Sequence, residues 1–212
     1  MTSALTLVSL PIFPLHTVLF PGGALPLRVF EPRYRMMVRG CREQGAPFGV
    51  VTLLSGSEVQ RSHAPEERFY PLGTLAHIDM VATLSSGLEL IHCAGQDRFC
   101  ITTARQLANG LWVADVQLLP SDITTPIPAD LQHAAAALRH VLHKLLQPHL
   151  DQATEQQFAD CGWVANRWCE LLPLTEQFQL QMLELDSPLL RLELITDALE
   201  SAGIVPHHPT KT

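Results

Sequence analysis

Five arginines crowd the stretch around FEPRYR (30–35): Arg28, Arg33, Arg35, Arg39 and Arg42, with Tyr34 among them. Guanidinium groups beside an aromatic ring are suited to holding anions. They form bidentate hydrogen bonds to carboxylate or phosphate, and the ring can stack on a base. These six residues are the candidate binding set. Ten histidines raise a second possibility, since His133, His140 and His143 share one segment and the last two, three apart, would share a helix face. Two imidazoles without a Cys or carboxylate partner make a poor metal site, so a solvated face is the simpler reading. Asp79, Glu89 and Asp97 place carboxylates in the N-terminal half, but no spacing joins them as an acid–base pair. No cofactor and no metal is expected.

Other catalytic signatures are missing. There is no GxxxxGK[ST] loop, and the only lysines are Lys144 and Lys211, so ATP hydrolysis by these residues is disfavoured. No GxSxG, HExxH or SxxK pattern supports peptidase chemistry. The five cysteines (Cys41, Cys93, Cys100, Cys161, Cys169) form no CxxC pair and are read as reduced thiols packed inside.

The elements that must position the arginines change period midway along the chain. Up to about residue 120, short apolar runs bounded by turn residues predict strands at 8–13, 24–30, 48–54, 73–82, 88–93, 98–105 and 111–118. Turn signals fall at Pro21–Gly22–Gly23, 55–57, 85–87, Gly95 and Asn109–Gly110, the last a hairpin signal. PRYRMMVRGCREQ is the exception and reads as a helix. Phe30 should end a strand and point into the barrel, Glu31 should set a carboxylate at the positive helix end, and Pro32 suits the first helical position. Tyr34, Met37, Val38 and Cys41 then repeat as a buried stripe, with Arg35, Arg39 and Arg42 opposite. On this reading Phe30, Glu31 and Pro32 form a structural joint.

From about residue 128 the period is helical. Leu131, Ala135, Leu138, Leu142 and Leu145 form one stripe, ended by Pro148. Thr154 with Gln157 suggests a capping box for a second helix burying Phe158, Cys161, Ala165, Trp168 and Leu172. A short third helix covers 176–185, and Ser187 caps a fourth that begins at Pro188 and ends near Gly203. The expected organisation is α+β: a β domain over 1–120, a linker over 121–128, a bundle of about four helices over 129–205 and a flexible tail over 206–212.

Composition limits the partners. Of 212 residues, 47% are apolar and 17% charged, as in a folded protein. Residues 1–120 carry nine Arg against nine Asp/Glu, whereas 121–212 carry five Lys/Arg against twelve Asp/Glu, which accounts for the net charge of −7. An acidic half repels phosphate backbones, so nucleic-acid binding is disfavoured. The first 27 residues lack Lys, Arg, Asp and Glu, but prolines and Gly22–Gly23 interrupt them, with no positive n-region or cleavage site. No apolar run approaches the roughly 20 residues a bilayer requires. A cytoplasmic protein without membrane partners is expected.

The run LPIFPLHTVLFPGGALPLRVFEPRYRMMV (10–38) resembles the opening of the Lon protease N-terminal, or substrate-binding, domain family. The likeness continues through FGVV (48–51), LGTLAHI (72–78), GQDRFCI (95–101), WVADVQLLP (112–120) and LLPLTEQFQLQMLELDSPLLRLELI (171–195). One departure is QFQLQML (177–183), which lacks a lysine common in that segment. The resemblance, to stand-alone bacterial members without ATPase or peptidase modules, implies a PUA-like β pseudo-barrel with one inserted helix and a helical bundle behind it. It implies a non-enzymatic polypeptide-binding or adaptor protein. Its partners would be unfolded or exposed polypeptide segments, bound along the barrel or between the halves, and a protease or ATPase. Two alternatives stand beside this: RNA binding through the Arg28–Arg42 patch with Tyr34 stacking, and a hydrolase that leaves no motif. The resemblance implies no oligomeric state.

Overall fold

The computed structural model describes residues 5–58, 66–84, 88–145 and 153–206. The turn expected at 85–87, the stop at Pro148, and His207 and His208 of the expected tail lie outside them. The chain divides into two compact units, residues 1–121 and 122–212.

The first unit is built from β1 (Thr6–Leu15), β2 (Ala24–Val29), α1 (Pro32–Gln44), β3 (Phe48–Ser55), β4 (Arg68–Thr83), β5 (Glu89–Gln106) and β6 (Trp112–Leu118). The sheet runs β2-β5-β4-β3-β1-β6, and β6 pairs again with β5, so five strands close on themselves. Closure leaves no exposed ladder among those five. The one parallel pair among the described residues, β1 with β3, requires a crossover, and α1 lies in that connection. Asn109–Gly110 turns β5 into β6, with Gly110 at φ 83 and the Leu107 amide donating to Leu111 O at 2.8 Å.

Gly95, expected as a turn between two strands, lies within the continuous β5, beside a register shift against β4. Its missing side chain serves close approach instead: a Cβ there would lie 2.2 Å from Phe20 O. The 20–23 turn docks on this bare backbone, with Gly22 N donating to Gly95 O and Gly95 N to Gly23 O, both at 2.8 Å. Gly49 and Gly73 make room in the same way for the fully buried Phe99 ring, whose Cζ would sit 2.7 Å from a Cβ at either position. Burying that ring contributes about 2–3 kcal/mol.

The second unit holds α2 (Gln132–Leu145), α3 (Glu155–Phe158), α4 (Cys161–Leu171), α5 (Glu176–Glu184) and α6 (Pro188–Ser201), preceded by a 3-10 turn at Ala129–Leu131. Ala134, Ala135, Leu138 and Leu142 face inward from α2, while Leu145 is largely exposed and Leu131 only half-buried, so the apolar stripe is shorter than expected. The expected second helix is two helices, giving five among the described residues rather than about four. The Thr154–Gln157 capping box opens α3. Asp160 then interrupts: its carboxylate accepts from Thr125 N at 2.7 Å and from Trp163 N at 3.0 Å, which caps α4. All five residues expected on the buried face of that helix are buried.

Residues 122–128, expected as a linker, are integral to this unit. Pro126 bridges to Asp160, Ile127 is buried, and Asp122 pairs with the buried Arg191. Arg191 also donates to Met182 O at 2.9 Å, Asn166 Oδ1 at 3.0 Å and Leu185 O. A guanidinium buried this deeply is tolerated because its N–H fork meets acceptors on several segments.

Candidate functional site

The arginines are positioned by α1. Glu31 is its N-cap in extended conformation and Pro32 occupies the first turn, where a missing N–H is not needed. Gly45 ends the helix in the left-handed region (φ 60), with Gly45 N donating to Arg42 O at 3.3 Å and Ala46 N to Cys41 O at 2.9 Å. Tyr34, Met37, Val38 and Cys41 are buried as the spacing predicts. The helix therefore has one orientation on the barrel, and its other face is fixed by the same packing.

The expected binding set then splits. Arg33 is buried, with 3% of its side chain exposed. It donates from Nε to Glu31 Oε2 at 3.2 Å, from Nη1 to Gly110 O at 2.7 Å and from Nη2 to Glu67 Oε1 at 3.4 Å. Glu67 in turn accepts from Trp112 Nε1 at 2.6 Å. Tyr34 is buried too, its ring stacked on Phe13 with centroids 3.9 Å apart and with the Arg33 guanidinium 4.5 Å from its centroid. Burial pushes its hydroxyl well above the ordinary tyrosine range; Arg33 opposes this, and Glu67 and Glu31 add to it. The phenol is neutral and enclosed, so it offers no face to a base. Arg33 and Tyr34 belong to the joint rather than to a surface.

Phe30 also departs from expectation. β2 ends at Val29, which is buried, and strand alternation turns the next residue outward, leaving Phe30 53% exposed. It rims a small cavity of about 250 Å³ beside β2, lined among others by Phe13, Leu15, Leu27 and Tyr34. The exposed Arg28 lies on that rim, apart from the remaining arginines.

Arg35, Arg39 and Arg42 come together on the outer face of α1. They line a groove of about 750 Å³ whose other wall is the far end of the β4–β5 ladder. Met36, Val38 and Val81 supply its apolar surface, and Glu43, Thr83 and Glu89 the rest of its polar rim. Arg35 lies 3.6 Å from Glu89, and Arg39 pairs with Glu43 at 3.0 Å one helical turn away. The Arg39–Glu43 pair is exposed on both sides and worth about 0.2–1 kcal/mol, whereas Glu89 is half-buried beneath the exposed Arg35. Sequence reasoning missed Met36 and Val81, and it named Glu89 as a candidate carboxylate without placing it beside the arginines. Met36 carried a signal, an apolar residue on the arginine face, whereas Val81 and Glu89 arrive through strand pairing that no local spacing shows.

The other candidates stay apart. Glu89 faces Arg35 and Asp97 accepts from the Ser121 hydroxyl at 2.6 Å, so the carboxylates are not a pair. His140 and His143 are exposed on α2, while His133 lies 3.9 Å from Glu200.

A closed barrel with a crossover helix, followed by a helical unit, is an α+β architecture. The chain belongs to the ATP-dependent protease La (LON) substrate-binding domain family, whose model matches residues 9–201. The crystal structure of a Lon N-terminal domain protein from Xanthomonas campestris is similar at 30% identity, covering 90% of this chain and 98% of that one with a TM-score of 0.70. The N-terminal domain of Mycobacterium avium complex Lon protease shares the fold, with a TM-score of 0.56 at 16% identity over 89% of this chain and 96% of that one. Over 159 residues the chain is 29% identical to protein cereblon of Xenopus tropicalis, covering 73% of this chain and 33% of that protein. Protein cereblon of Danio rerio is 31% identical over 123 residues, 54% of this chain and 26% of that protein. The chain thus spans a third or less of these curated relatives.

Proposed function

We propose that this protein is a polypeptide-recognition module that acts by binding rather than by bond-making chemistry, delivering bound segments to a protease or ATPase partner. Membership of a substrate-binding family supports it, and one structural observation carries it: the open groove on the outer face of α1. That groove combines apolar side chains with exposed arginine heads on one helix face. Such a surface accepts extended chain segments through side-chain contacts and charge-assisted hydrogen bonds. The RNA reading loses its main support, because Tyr34 is enclosed and no aromatic side chain among the described residues lines the groove.

Calorimetric titration against a permanently unfolded model protein, together with a peptide array, tests the proposal. Saturable binding of unfolded chain and not of its folded form is the expected result. Heats and array signals at background in both experiments would overturn it.

A further inference from the structure

Resting on that reading, we infer that the α1 groove selects an extended segment in which acidic residues alternate with apolar ones. The argument is one of charge and spacing. Arg35, Arg39 and Arg42 fall at i, i+4 and i+7, so their heads line one edge of the groove. At about 1.5 Å of helix rise per residue they are about 6 and 4.5 Å apart along the axis. An extended chain advances about 3.3 Å per residue and sends successive side chains to opposite sides. Every second residue of a segment running along α1 therefore meets the arginine edge at roughly the arginine spacing, while the residues between face Met36 and Val81.

The charges are available. Arg42 makes no ion pair among the described residues, and the side chain of Arg39 is 81% exposed. Three cations face two carboxylates, Glu43 and Glu89, so the groove carries an excess positive charge that a carboxylate-bearing segment neutralises. A continuous phosphate backbone suits it less well. Both carboxylates would repel such a backbone, whereas a peptide can set an apolar residue opposite them.

The test uses the full chain and fluorescein-labelled hexapeptides read by anisotropy: Asp alternating with Val and Leu, its Lys counterpart, its Ser counterpart, and a uridine hexanucleotide. The inference predicts that the Asp peptide binds about tenfold or more tightly than the Lys peptide, and that the preference shrinks as salt rises from low to physiological ionic strength. The double variant R39E/R42E should abolish the preference while lowering the thermal transition by only a few degrees, through the lost Glu43 pair and the acid placed at the end of α1. Arg28→Glu, outside the groove, should leave it intact. If Ser and Lys peptides bind as well as Asp and the double variant changes nothing, the charge selection is wrong while polypeptide recognition stands. If no hexapeptide binds and unfolded protein does not bind either, both readings fall. If the uridine oligomer binds more tightly than the Asp peptide and R39E/R42E abolishes that, the groove is an RNA surface and the inference is overturned.

Discussion

Replacing Arg33 with methionine separates a structural joint from a binding site. The substitution keeps most of the apolar stem and removes only the guanidinium. Two consequences follow from the geometry. Gly110 O loses the donor at 2.7 Å that holds the β5–β6 turn against α1. Glu31 and Glu67, with 13% and 14% of their side chains exposed, keep their charges and lose their cation. Removing one partner of a buried, hydrogen-bonded charge pair costs about 3–5 kcal/mol, more than the pair itself contributes, because the remaining charge stays desolvated. For a chain of this size each kcal/mol shifts the midpoint by about 3 °C, so Tm should fall by roughly 10 °C. Differential scanning calorimetry reads this directly. Glu67→Gln should cost less, since an amide oxygen can still accept from Trp112, and the double variant should lose less than the two single losses combined, because they remove one shared interaction. Glu31→Ala should lower Tm by a few degrees, since Arg33 keeps Glu67 and Gly110 O as acceptors when Glu31 is removed. An Arg33→Met protein that melted within about 2 °C of the parent yet bound no polypeptide would refute this reasoning and return Arg33 to the binding set.

Three further perturbations probe the frame. Gly95→Ala should destabilise by about 3 kcal/mol in urea titration, because the new methyl meets Phe20 O and cannot be accommodated by rotating a side chain. Asp160→Ala removes the acceptor of two backbone amides and should cost about 2 kcal/mol, with hydrogen exchange accelerating at Thr125 and Trp163. Burial pushes the Cys93 and Cys169 thiols up to about 12 and Cys161 to about 11, and raises Cys41 as well. At pH 8 a disulfide reagent should therefore label the half-buried Cys100 first, with the other four reacting only as the protein unfolds.

What was legible in the sequence was local. Alternation and turn residues located the strands, and the helix after Phe30 begins at Pro32 and ends at Gln44 as PRYRMMVRGCREQ suggests. The ordered motifs pointed to the family and to an α+β fold, and the Thr154 and Ser187 caps were readable because a cap is written within four residues. The departures share one origin, which is interaction over long sequence separations. Asp160 breaks a continuous helical pattern because Thr125, 35 residues earlier, needs its carboxylate. Gly95 looks like a turn until the 20–23 segment is docked against it.

The same distinction governs the arginines, and it decides where function should be sought. A run of like residues on one stretch suggests one surface, but a helix distributes neighbours around its circumference. Arg33, one residue from the buried Tyr34, is turned toward Glu67 and Gly110, which lie 34 and 77 residues away in sequence. Arg35, Arg39 and Arg42 are kept outside by the same rotation that buries Tyr34, Met37 and Cys41. The buried stripe and the exposed arginine edge are thus one structural decision, and a mutation that loosens the stripe will blur the edge. Variants meant to probe binding belong on Arg39 and Arg42, whose heads touch solvent, and loss of binding on substituting Arg33 counts as evidence for a site only after its stability has been measured.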